Sequence, residues 1–427
     1  MQISMWTDSY YPYVSGVTRS IKLTKETLTK MGHNVSVFCP WYPETDPEPD
    51  VYRFPSIKSP TKSDYYIAVP VNPKHLMAIK EICPDVIHTH SPFNLGKMGV
   101  TVGNILDIPT VFTFHTMYNM YSHYVPLIGD NISELIEFGA IGTAKSVDAV
   151  IAPSSAIRDY LRERGVTTDI FVIPTGIEID EFRNGDTSYI KRTYNIPSDL
   201  PILLTCGRLG KEKNPECLLH AFSIVHESVD SVLVFVGDGP LIEELKELAE
   251  ELNVSSRVVF AGKVSPEVMP HFYASADLFM FASLTDTQGL VIAEAKAAGL
   301  PCIAVGALGV KDMVQDGVDG FLCENDPNCL AQKALLLLQN PSVMESMRTN
   351  ALSNAYAFSI EKTCARLIEC YQTVRHTSSA ATSILVALVN SYVLLVFRKG
   401  ACESVGSVIL GHKVQVVHIS RIENRLQ

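Results

Sequence analysis

Short runs rich in β-branched residues alternate with amphipathic helical segments along most of the chain, and this alternation limits the possible folds more than any other feature. Strands that alternate with helices indicate a parallel sheet covered by helices on both faces. Helical patterns of the first series include Thr18–Met31 and Pro73–Ile82. The predicted strands of this series are Ile3–Thr7, Val35–Cys39, Val86–Thr89, Thr110–Phe114, Ala149–Ala152 and Phe171–Ile173.

A second series of the same kind begins after the segment Pro174-Thr175-Gly176-Ile177. The chain of 427 residues is long enough for two domains of similar size. We therefore predict an α/β protein with two facing, doubly wound Rossmann-like domains, residues 1–182 and 183–358, and an interdomain cleft at the carboxyl ends of their strands. The elements predicted for the second domain are the strands Ile202–Thr205, Val232–Val236, Val258–Ala261, Leu278–Phe281 and Cys302–Val305 and helices such as Pro240–Leu252 and Gly289–Ala298.

The last part of the chain follows a different pattern. The amphipathic segment Ser359–Arg375 predicts a closing helix over residues 359–376 that returns to the first domain. Residues 377–427 are predicted as an apolar tail of unassigned role. Their uncharged run Ala380–Phe397 is borderline in length for a membrane span and also fits strands, so we interpret it as a peripheral apolar appendage or as sequence foreign to the fold.

Charge and cysteine content weaken several functional classes. The formal net charge of −11 argues against general nucleic-acid binding. The ten cysteines are scattered without a CxxC pair, which gives no support to a zinc site or a thioredoxin-like site. The chain opens on a strand-like run without a basic and apolar leader, so we expect a cytoplasmic protein in a reducing compartment.

Two loops have features that suit a phosphate. In the first loop, Gly16 lets a ligand approach a helix N-terminus, where free N–H groups favour an anion; a plain tight turn is the alternative interpretation. In the second loop, Arg208 and Lys213 follow a predicted strand of the second domain. Two cations at a strand end can bind a diphosphate, and a solvated basic turn is the alternative.

Acidic and histidine side chains complete the candidate site. Asp286 precedes an apolar helix and Glu294 lies inside it, where a buried carboxylate requires a partner such as the hydroxyls of a ribose. A helix N-cap is the alternative role for Asp286, and it is compatible with sugar binding. His115 ends a predicted strand and is a candidate for catalysis, with a satisfied core histidine as the alternative. The pair His88-Thr89-His90 lacks a third ligand at a usable spacing, so no metal site is predicted.

Together these residues resemble glycosyltransferase family 4, the large family of retaining glycosyltransferases that includes enzymes similar to sucrose synthase and phosphatidylinositol mannosyltransferase. The resemblance covers approximately residues 1–375. The first acid of the family's acidic pair is usually Glu and is Asp286 here. The other markers are Ser15-Gly16-Val17, Asp85-Val86-Ile87-His88-Thr89-His90, Phe112-Thr113-Phe114-His115-Thr116, Pro174-Thr175-Gly176-Ile177-Glu178 and Gly207-Arg208-Leu209.

Within the family, three segments look similar to the bacterial 1,2-diacylglycerol 3-glucosyltransferases, which make membrane glucolipids. They are Phe114-His115-Thr116-Met117-Tyr118, Tyr124-Val125-Pro126 and Thr287-Gln288-Gly289-Leu290. This resemblance implies a GT-B fold and the transfer of a hexose, expected to be glucose from UDP-glucose, to diacylglycerol. It implies that Arg208 and Lys213 bind the donor diphosphate, Glu294 the ribose and Asp286 the sugar hydroxyls, with His115 facing the sugar from the first domain. The other substrate-binding residues that it implies are Gly16, Tyr118, Tyr124, Gln288, Gly289 and Leu290.

The resemblance also implies a front-face reaction in which the leaving diphosphate takes the proton of the acceptor. No cofactor and no metal are expected, because Arg208 and Lys213 can neutralise the diphosphate. Two alternatives stay open: a transferase for another lipid or a soluble acceptor, for example one that depends on GDP-mannose, and a nucleotide-sugar-binding protein without turnover.

A lipid acceptor requires the protein to visit the membrane. The stretch from Arg53 to Lys80 is locally basic in an acidic chain, so we predict peripheral contact with anionic lipid on the cytoplasmic face. A solvated loop with ordinary lysines is the alternative interpretation, and Ala380–Phe397 is a rival anchor. The apolar side chains expected to enter the interface are Tyr65, Tyr66, Ile67 and Val69.

Overall fold

The computed structural model describes residues 1–43, 45–60, 64–70, 72–117, 131–376, 408–410 and 413–415. The first half contains the helices α1 (Gly16–Lys30), α2 (Pro73–Ile82), α3 (Asn94–Leu106), α4 (Asn131–Lys145) and α5 (Ser155–Glu163). Its strands are β1 (Gln2–Trp6), β2 (Asn34–Pro40), β3 (Val51–Phe54), β4 (Ser56–Lys58), β5 (Tyr66–Ala68), β6 (Val86–Thr89), β7 (Thr110–Thr113), β8 (Ala149–Ala152) and β9 (Asp169–Val172).

Seven of these strands form a parallel sheet in the order β3-β2-β1-β6-β7-β8-β9, and β4 and β5 form a separate antiparallel hairpin. The chain winds outward from β1 in one direction and then from β6 in the other. The order therefore reverses between β1 and β6, and a ligand crevice is expected beyond the carboxyl ends of strands at such a point.

The second half repeats this plan. Its strands β10 (Ile202–Cys206), β11 (Val232–Val236), β12 (Val258–Gly262), β13 (Leu278–Phe281), β14 (Cys302–Val305) and β15 (Gly320–Cys323) form a parallel sheet in the order β12-β11-β10-β13-β14-β15. Every residue of β10 is buried, as expected for a strand covered on both faces. The helices are α6 (Ile179–Arg183), α7 (Tyr189–Thr193), α8 (Pro215–Ser228), α9 (Ile242–Glu251), α10 (Met269–Ser275), α11 (Leu290–Ala297), α12 (Pro327–Leu338) and α13 (Pro341–Ala355).

Residues 360–376 form a last helix, α14. Within the unit that ends at Tyr371, α14 contacts the first sheet, since the Tyr371 hydroxyl lies 2.7 Å from Nδ1 of His88 at the end of β6. Near its start, Thr363 donates a hydrogen bond to the carbonyl of Pro174 (2.9 Å). These contacts tie α14 to the segment where the chain leaves the first domain.

The predicted fold class is confirmed: two Rossmann-like parallel sheets with helices form the body of the protein. Sequence patterns did not reveal β3, whose Arg53 interrupts an apolar run, or β15, which contains a glycine. In the last unit, residues 372–427, two short strands β16 (Val408–Leu410) and β17 (Lys413–Gln415) pair in antiparallel fashion. The run Ala380–Phe397 lies outside the described residues. The described part of the chain contains no helix long and apolar enough to cross a membrane.

Gly176, in the segment where the chain leaves the first domain, packs closely against α14. A Cβ atom at this position would lie 2.6 Å from the Cα of Ile360 and 2.7 Å from Oγ1 of Thr363. We expect Gly176→Ala to lower the free energy of unfolding by about 1–3 kcal/mol, because the backbone of α14 must shift. Gly142→Ala is the matched control, since its Cβ meets no atom within 4 Å and alanine favours the helix α4 by about 0.5–1 kcal/mol. Urea unfolding in which both variants behave alike would contradict this account of the packing at Gly176.

Candidate functional site

A cavity of about 340 Å³ lies between the two halves of the molecule, at the carboxyl ends of their strands. His115 enters it just after β7, and Arg208 just after β10. Asp286 enters from the loop between β13 and α11. The structure thus brings together candidate residues that are far apart in sequence. The predicted residues that line this cavity are Gly16, His115, Arg208, Lys213, Asp286, Gln288, Gly289 and Leu290.

The first wall of the cavity is the N-terminus of α1. Ser15 caps this helix: its hydroxyl accepts a hydrogen bond from the main-chain N–H of Thr18, and the Thr18 hydroxyl accepts one from the N–H of Ser15. No acidic residue occupies the first turn, so the positive end of the helix dipole is left for a ligand. The space that a Cβ of Gly16 would enter is open. This geometry suits an anion close to the backbone of Gly16.

An ion pair forms the second wall. Nζ of Lys213, which ends a single 3-10 turn after β10, lies 2.8 Å and 2.7 Å from the two carboxylate oxygens of Asp286. Both side chains are about one-fifth exposed, so the pair is partly shielded from solvent. The alternative interpretation of Asp286 as a helix N-cap is wrong, because Gly289, with φ +89°, occupies the cap of α11 and the Asp286 carboxylate binds Lys213.

Glu294 lies in α11 beside a second cavity of about 650 Å³, which shares Cys206, Gly207 and Val291 with the first. Its carboxylate accepts a hydrogen bond from the hydroxyl of Tyr273 (2.7 Å) and lies 3.5 Å from the guanidinium of Arg19. Burial raises the pKa of Glu294, and the Arg19 charge opposes this rise. The carboxylate therefore has two protein partners before any ribose arrives.

Arg19 and Tyr273 were not identified from the sequence. Arg19 lies on α1, donates two hydrogen bonds to the carboxylate of Glu181 (2.9 and 2.8 Å) and approaches Glu294 with its other terminal nitrogen. It thus joins the helix behind the Gly16 loop to the acid expected to bind ribose. An arginine three residues past Gly16 on an otherwise ordinary surface helix gives no local signal of this role.

His115 is the histidine that the first domain contributes to the cavity lining. Its Nε2 lies 3.0 Å from Nδ1 of His90. Burial lowers the pKa of His115 to about 4, so the imidazole is neutral at pH 7. His88 is a buried core histidine, since its two nitrogens contact Tyr371 (2.7 Å) and Thr113 (2.6 Å). Among the described residues, no group of three or more His, Cys, Asp or Glu side chains could hold a metal ion.

The loop before α11 crosses the cleft. The Thr287 hydroxyl donates to the carbonyl of His115 (2.8 Å), and the hydroxyl of Ser154 donates to the carbonyl of Thr287 (2.7 Å). Gln288 is buried, and its amide oxygen accepts from the N–H of Thr175 while its amide nitrogen donates to the carbonyl of the same residue (2.8 and 3.0 Å). Gln288 was predicted to bind substrate, and in the structure its amide holds the interdomain segment. Tyr118 and Tyr124 lie outside the described residues.

Two family profiles match successive parts of the chain. A profile described as Glycosyltransferase Family 4 matches residues 14–181, and one described as Glycosyl transferases group 1 matches residues 186–354. An alpha-monoglucosyldiacylglycerol synthase of Streptococcus pneumoniae is 32% identical over 379 residues, covering 87% of this chain and 85% of that protein. The chain belongs to the GT-B glycosyltransferases.

Other relatives of this glycosyltransferase differ in the substrates that they are named for. An alpha-monoglucosyldiacylglycerol synthase of Acholeplasma laidlawii is 30% identical, covering 82% of this chain and 92% of that protein. A GDP-mannose-dependent alpha-mannosyltransferase of Corynebacterium glutamicum is also 30% identical, covering 76% and 77%. The crystal structure of Anabaena HepE in complex with UDP superposes with a TM-score of 0.69 at 20% identity, covering 87% and 100%. This structure supports the fold alone.

The predicted contact of Glu294 with the nucleotide-sugar donor can be tested through Arg19. Only the ionised form of Glu294 would accept hydrogen bonds from the donor hydroxyls, and this form is lost as the pH falls through the pKa of the group. Arg19→Met removes the charge that opposes desolvation, so the pKa of Glu294 rises further. We expect the acid limb of kcat/KM for the donor to move to higher pH.

The control is Arg257→Met, which breaks a surface ion pair with Asp230 (2.8 Å). Its acid limb should coincide with that of the wild type. If the Arg19→Met profile also coincides with it, Glu294 does not contact the donor.

Proposed function

We propose that this glycosyltransferase transfers glucose from UDP-glucose to diacylglycerol with retention of the anomeric configuration. The observation that carries the proposal is the cavity between the domains, where Arg208, Lys213 and the N-terminus of α1 converge beside Asp286 and His115. Three sources of positive charge at one place suit a diphosphate, and a carboxylate and an imidazole beside them suit sugar hydroxyls. The names of the pneumococcal and Acholeplasma relatives support the choice of glucose and diacylglycerol.

The two cavities suit the two ends of a nucleotide sugar. The larger, more open one is lined by Glu294, Gly237 and Lys263 and has room for a nucleoside. The smaller one holds the ion pair and His115 and has room for a hexose. They meet at Gly207, directly before Arg208, which is where the diphosphate between the two groups would lie.

The proposed reaction is a front-face displacement. The acceptor oxygen bonds to C1 of the sugar as the bond between C1 and the diphosphate oxygen breaks, and the acceptor proton passes to that diphosphate oxygen. Retention by double displacement would require a protein nucleophile at C1, whereas we assign the Asp286 carboxylate, which Lys213 holds through both oxygens, to the sugar hydroxyls. The chain contributes by positioning the reactants and by stabilising the departing charge with Arg208 and Lys213. We propose that these cations make a metal unnecessary.

A second candidate function is transfer of mannose from GDP-mannose, because the Corynebacterium relative has the same 30% identity as the Acholeplasma one, over a shorter alignment. The donor base is the point of difference. Residues that line the nucleoside cavity, such as Val264 and Met269, would have to accommodate a purine in place of a pyrimidine.

A donor panel tests the proposed function. Purified enzyme is incubated with diacylglycerol vesicles and UDP-glucose, UDP-galactose or GDP-mannose, with and without EDTA, and the lipid product is analysed by NMR for sugar and anomeric configuration. We expect an α-glucosyl lipid from UDP-glucose, formed equally in EDTA. Arg208→Ala and Lys213→Ala should each lower kcat/KM by about 30–1,000-fold, because one charge-assisted contact to the leaving group is lost. A β-linked product, a mannolipid or dependence on added metal would contradict the corresponding part of the proposal.

We also propose that the first domain contacts an anionic membrane on the cytoplasmic face. The surface around the β4–β5 hairpin and α2 exposes Lys58, Lys74 and Lys80 together with Ile57 and Met77, of which 60% and 63% are accessible. Cations beside exposed apolar side chains suit a headgroup region. Ile67 and Val69 are also exposed, as the predicted contact requires.

Three residues of the predicted stretch take other roles. The guanidinium of Arg53 donates to the carbonyl of Pro40 (3.3 Å), so it is not a free surface cation. The Tyr65 hydroxyl donates to the carbonyl of Asp8 (2.9 Å), and the Tyr66 ring packs edge-on against Tyr42, so neither tyrosine is placed to enter a bilayer. These details correct the predicted surface. Lys62 lies outside the described residues.

Vesicle flotation tests the membrane surface. Reversing the charge of Lys58, Lys74 and Lys80 should abolish flotation with anionic vesicles at low salt, because each cation contributes about 1 kcal/mol near an anionic leaflet. The control reverses Lys191, Lys246 and Lys333 in the second domain and should float like the wild type. A truncation after Arg375 tests the apolar tail. If the truncation alone abolishes flotation, the tail and not the first domain is the membrane contact.

A further inference from the structure

Two histidines from neighbouring strands meet at the wall of the sugar cavity. His90 directly follows β6 and His115 follows β7, and parallel strands end at the same edge of a sheet. The planes of the two rings make an angle of 21°, and Nδ1 of His90 lies 3.0 Å from Nε2 of His115. His115 lines the cavity, while His90 is only 5% exposed and lines none of the cavities described above.

Both rings are neutral at pH 7. Burial lowers the pKa of His115 to about 4, and burial together with the neighbouring His88 lowers the pKa of His90 well below its usual value. A neutral imidazole carries one N–H and one bare nitrogen. In the bond between the two rings, one histidine therefore donates and the other accepts, and this choice determines which nitrogen carries the proton in each ring.

The surroundings of His90 indicate which ring donates. Its second nitrogen, Nε2, is buried and has no hydrogen-bond partner among the described residues. If His115 were the donor, His90 would carry its proton on this isolated nitrogen, and buried N–H groups without an acceptor are rarer than buried acceptors without a donor. With His90 as the donor from Nδ1, only a lone pair is left unpaired. His115 then accepts at Nε2 and carries its own proton on Nδ1.

We propose that His90 is a positioning residue for the transfer reaction: it orients the His115 ring and keeps the His115 proton on Nδ1, so that this nitrogen donates a hydrogen bond to an oxygen of the sugar in the cavity. Nδ1 is the nitrogen of His115 that a ligand can contact, because Nε2 is turned to His90. The proposal rests on the proposed donor site, since it takes the cavity at His115 to be the sugar cavity.

His88 supports this arrangement from behind. Its ring lies 4.0 Å from the ring of His90, and its own nitrogens are bound by Tyr371 and Thr113. Because both hydrogen bonds hold the His88 ring in place, it forms a fixed surface against which His90 packs. The plane of His90, and through it that of His115, is thereby set by residues from β7 and α14.

Nitrogen NMR of the enzyme labelled with nitrogen-15 histidine tests the proton positions without any substrate. We expect His115 to show a protonated Nδ1 and a bare Nε2 at pH 7, with its signals assigned by their loss in His115→Asn. In His90→Leu, which removes the donor, His115 should change to a mixture of tautomers or to protonation at Nε2. Protonation of His115 at Nε2 in the wild type would overturn the proposal, whatever the enzyme transfers.

Kinetics test the consequence, using whichever donor and acceptor the wild type turns over. We expect His90→Leu to lower kcat/KM by about 10–100-fold, the loss of one oriented hydrogen bond, and His90→Asn, whose amide nitrogen can replace Nδ1 as donor, to recover most of it. In a His115→Asn background, His90→Leu should have little further effect, because His90 acts through His115. His220→Leu, at an exposed histidine on α8, is the control. Equal losses from His90→Leu with and without His115, in folded variants, would show that His90 acts independently of His115.

Discussion

The site exists because one loop of the second domain is hydrogen-bonded to the first. Thr287 and Gln288 follow β13, yet they bond to His115, Ser154 and Thr175 of the other domain. Each of these hydrogen bonds contributes about 1 kcal/mol net to stability. Their total contribution is therefore modest, but each bond fixes the orientation of the loop relative to the first domain. They hold Asp286 and His115 in the walls of one cavity. Movement of either domain would change both walls of the cavity together.

The segment after β14 packs closely against the backbone of the same loop. The main-chain N–H of Gly309 donates to the carbonyl of Asp286 (3.1 Å), and a Cβ at Gly309 would lie 1.9 Å from the carbonyl of Thr287. Only glycine permits this approach. The loop is therefore held on one side by the first domain and on the other by the segment after β14, and its carboxylate needs little reorganisation when a ligand binds.

The fold could be predicted well from the sequence, because the strands of a buried parallel sheet are continuous apolar runs. Five strands have the predicted bounds: β6, β8, β11, β13 and β14. Arg208, Asp286 and His115 each follow the carboxyl end of a strand, and they line one cavity as expected. Patterns of apolar residues could not predict which charged side chains form ion pairs. Lys213 and Asp286 are 73 residues apart, and each had been assigned to the substrate, whereas before a ligand binds they satisfy each other.

The same limit applies to residues with no motif. Arg19 of the first domain lies 3.5 Å from Glu294 of the second, and the role of Gln288 depends on the position of the backbone of Thr175. Side chains that act on other protein groups are recognised only when the strands and loops are placed in space. Local sequence shows which residues are available for chemistry, and tertiary contacts determine which of them remain available to a ligand.

Lys213 determines the position of the Asp286 side chain. The carboxylate is anchored by Lys213 through both oxygens, so its place in the cavity is determined by the ammonium as well as by its own loop. A lysine ammonium has three donors, and one such group can contact a carboxylate and a phosphate oxygen together. When a diphosphate enters beside Arg208, Lys213 can therefore bind the leaving group without releasing Asp286. The ion pair thereby orients the Asp286 carboxylate before any ligand binds.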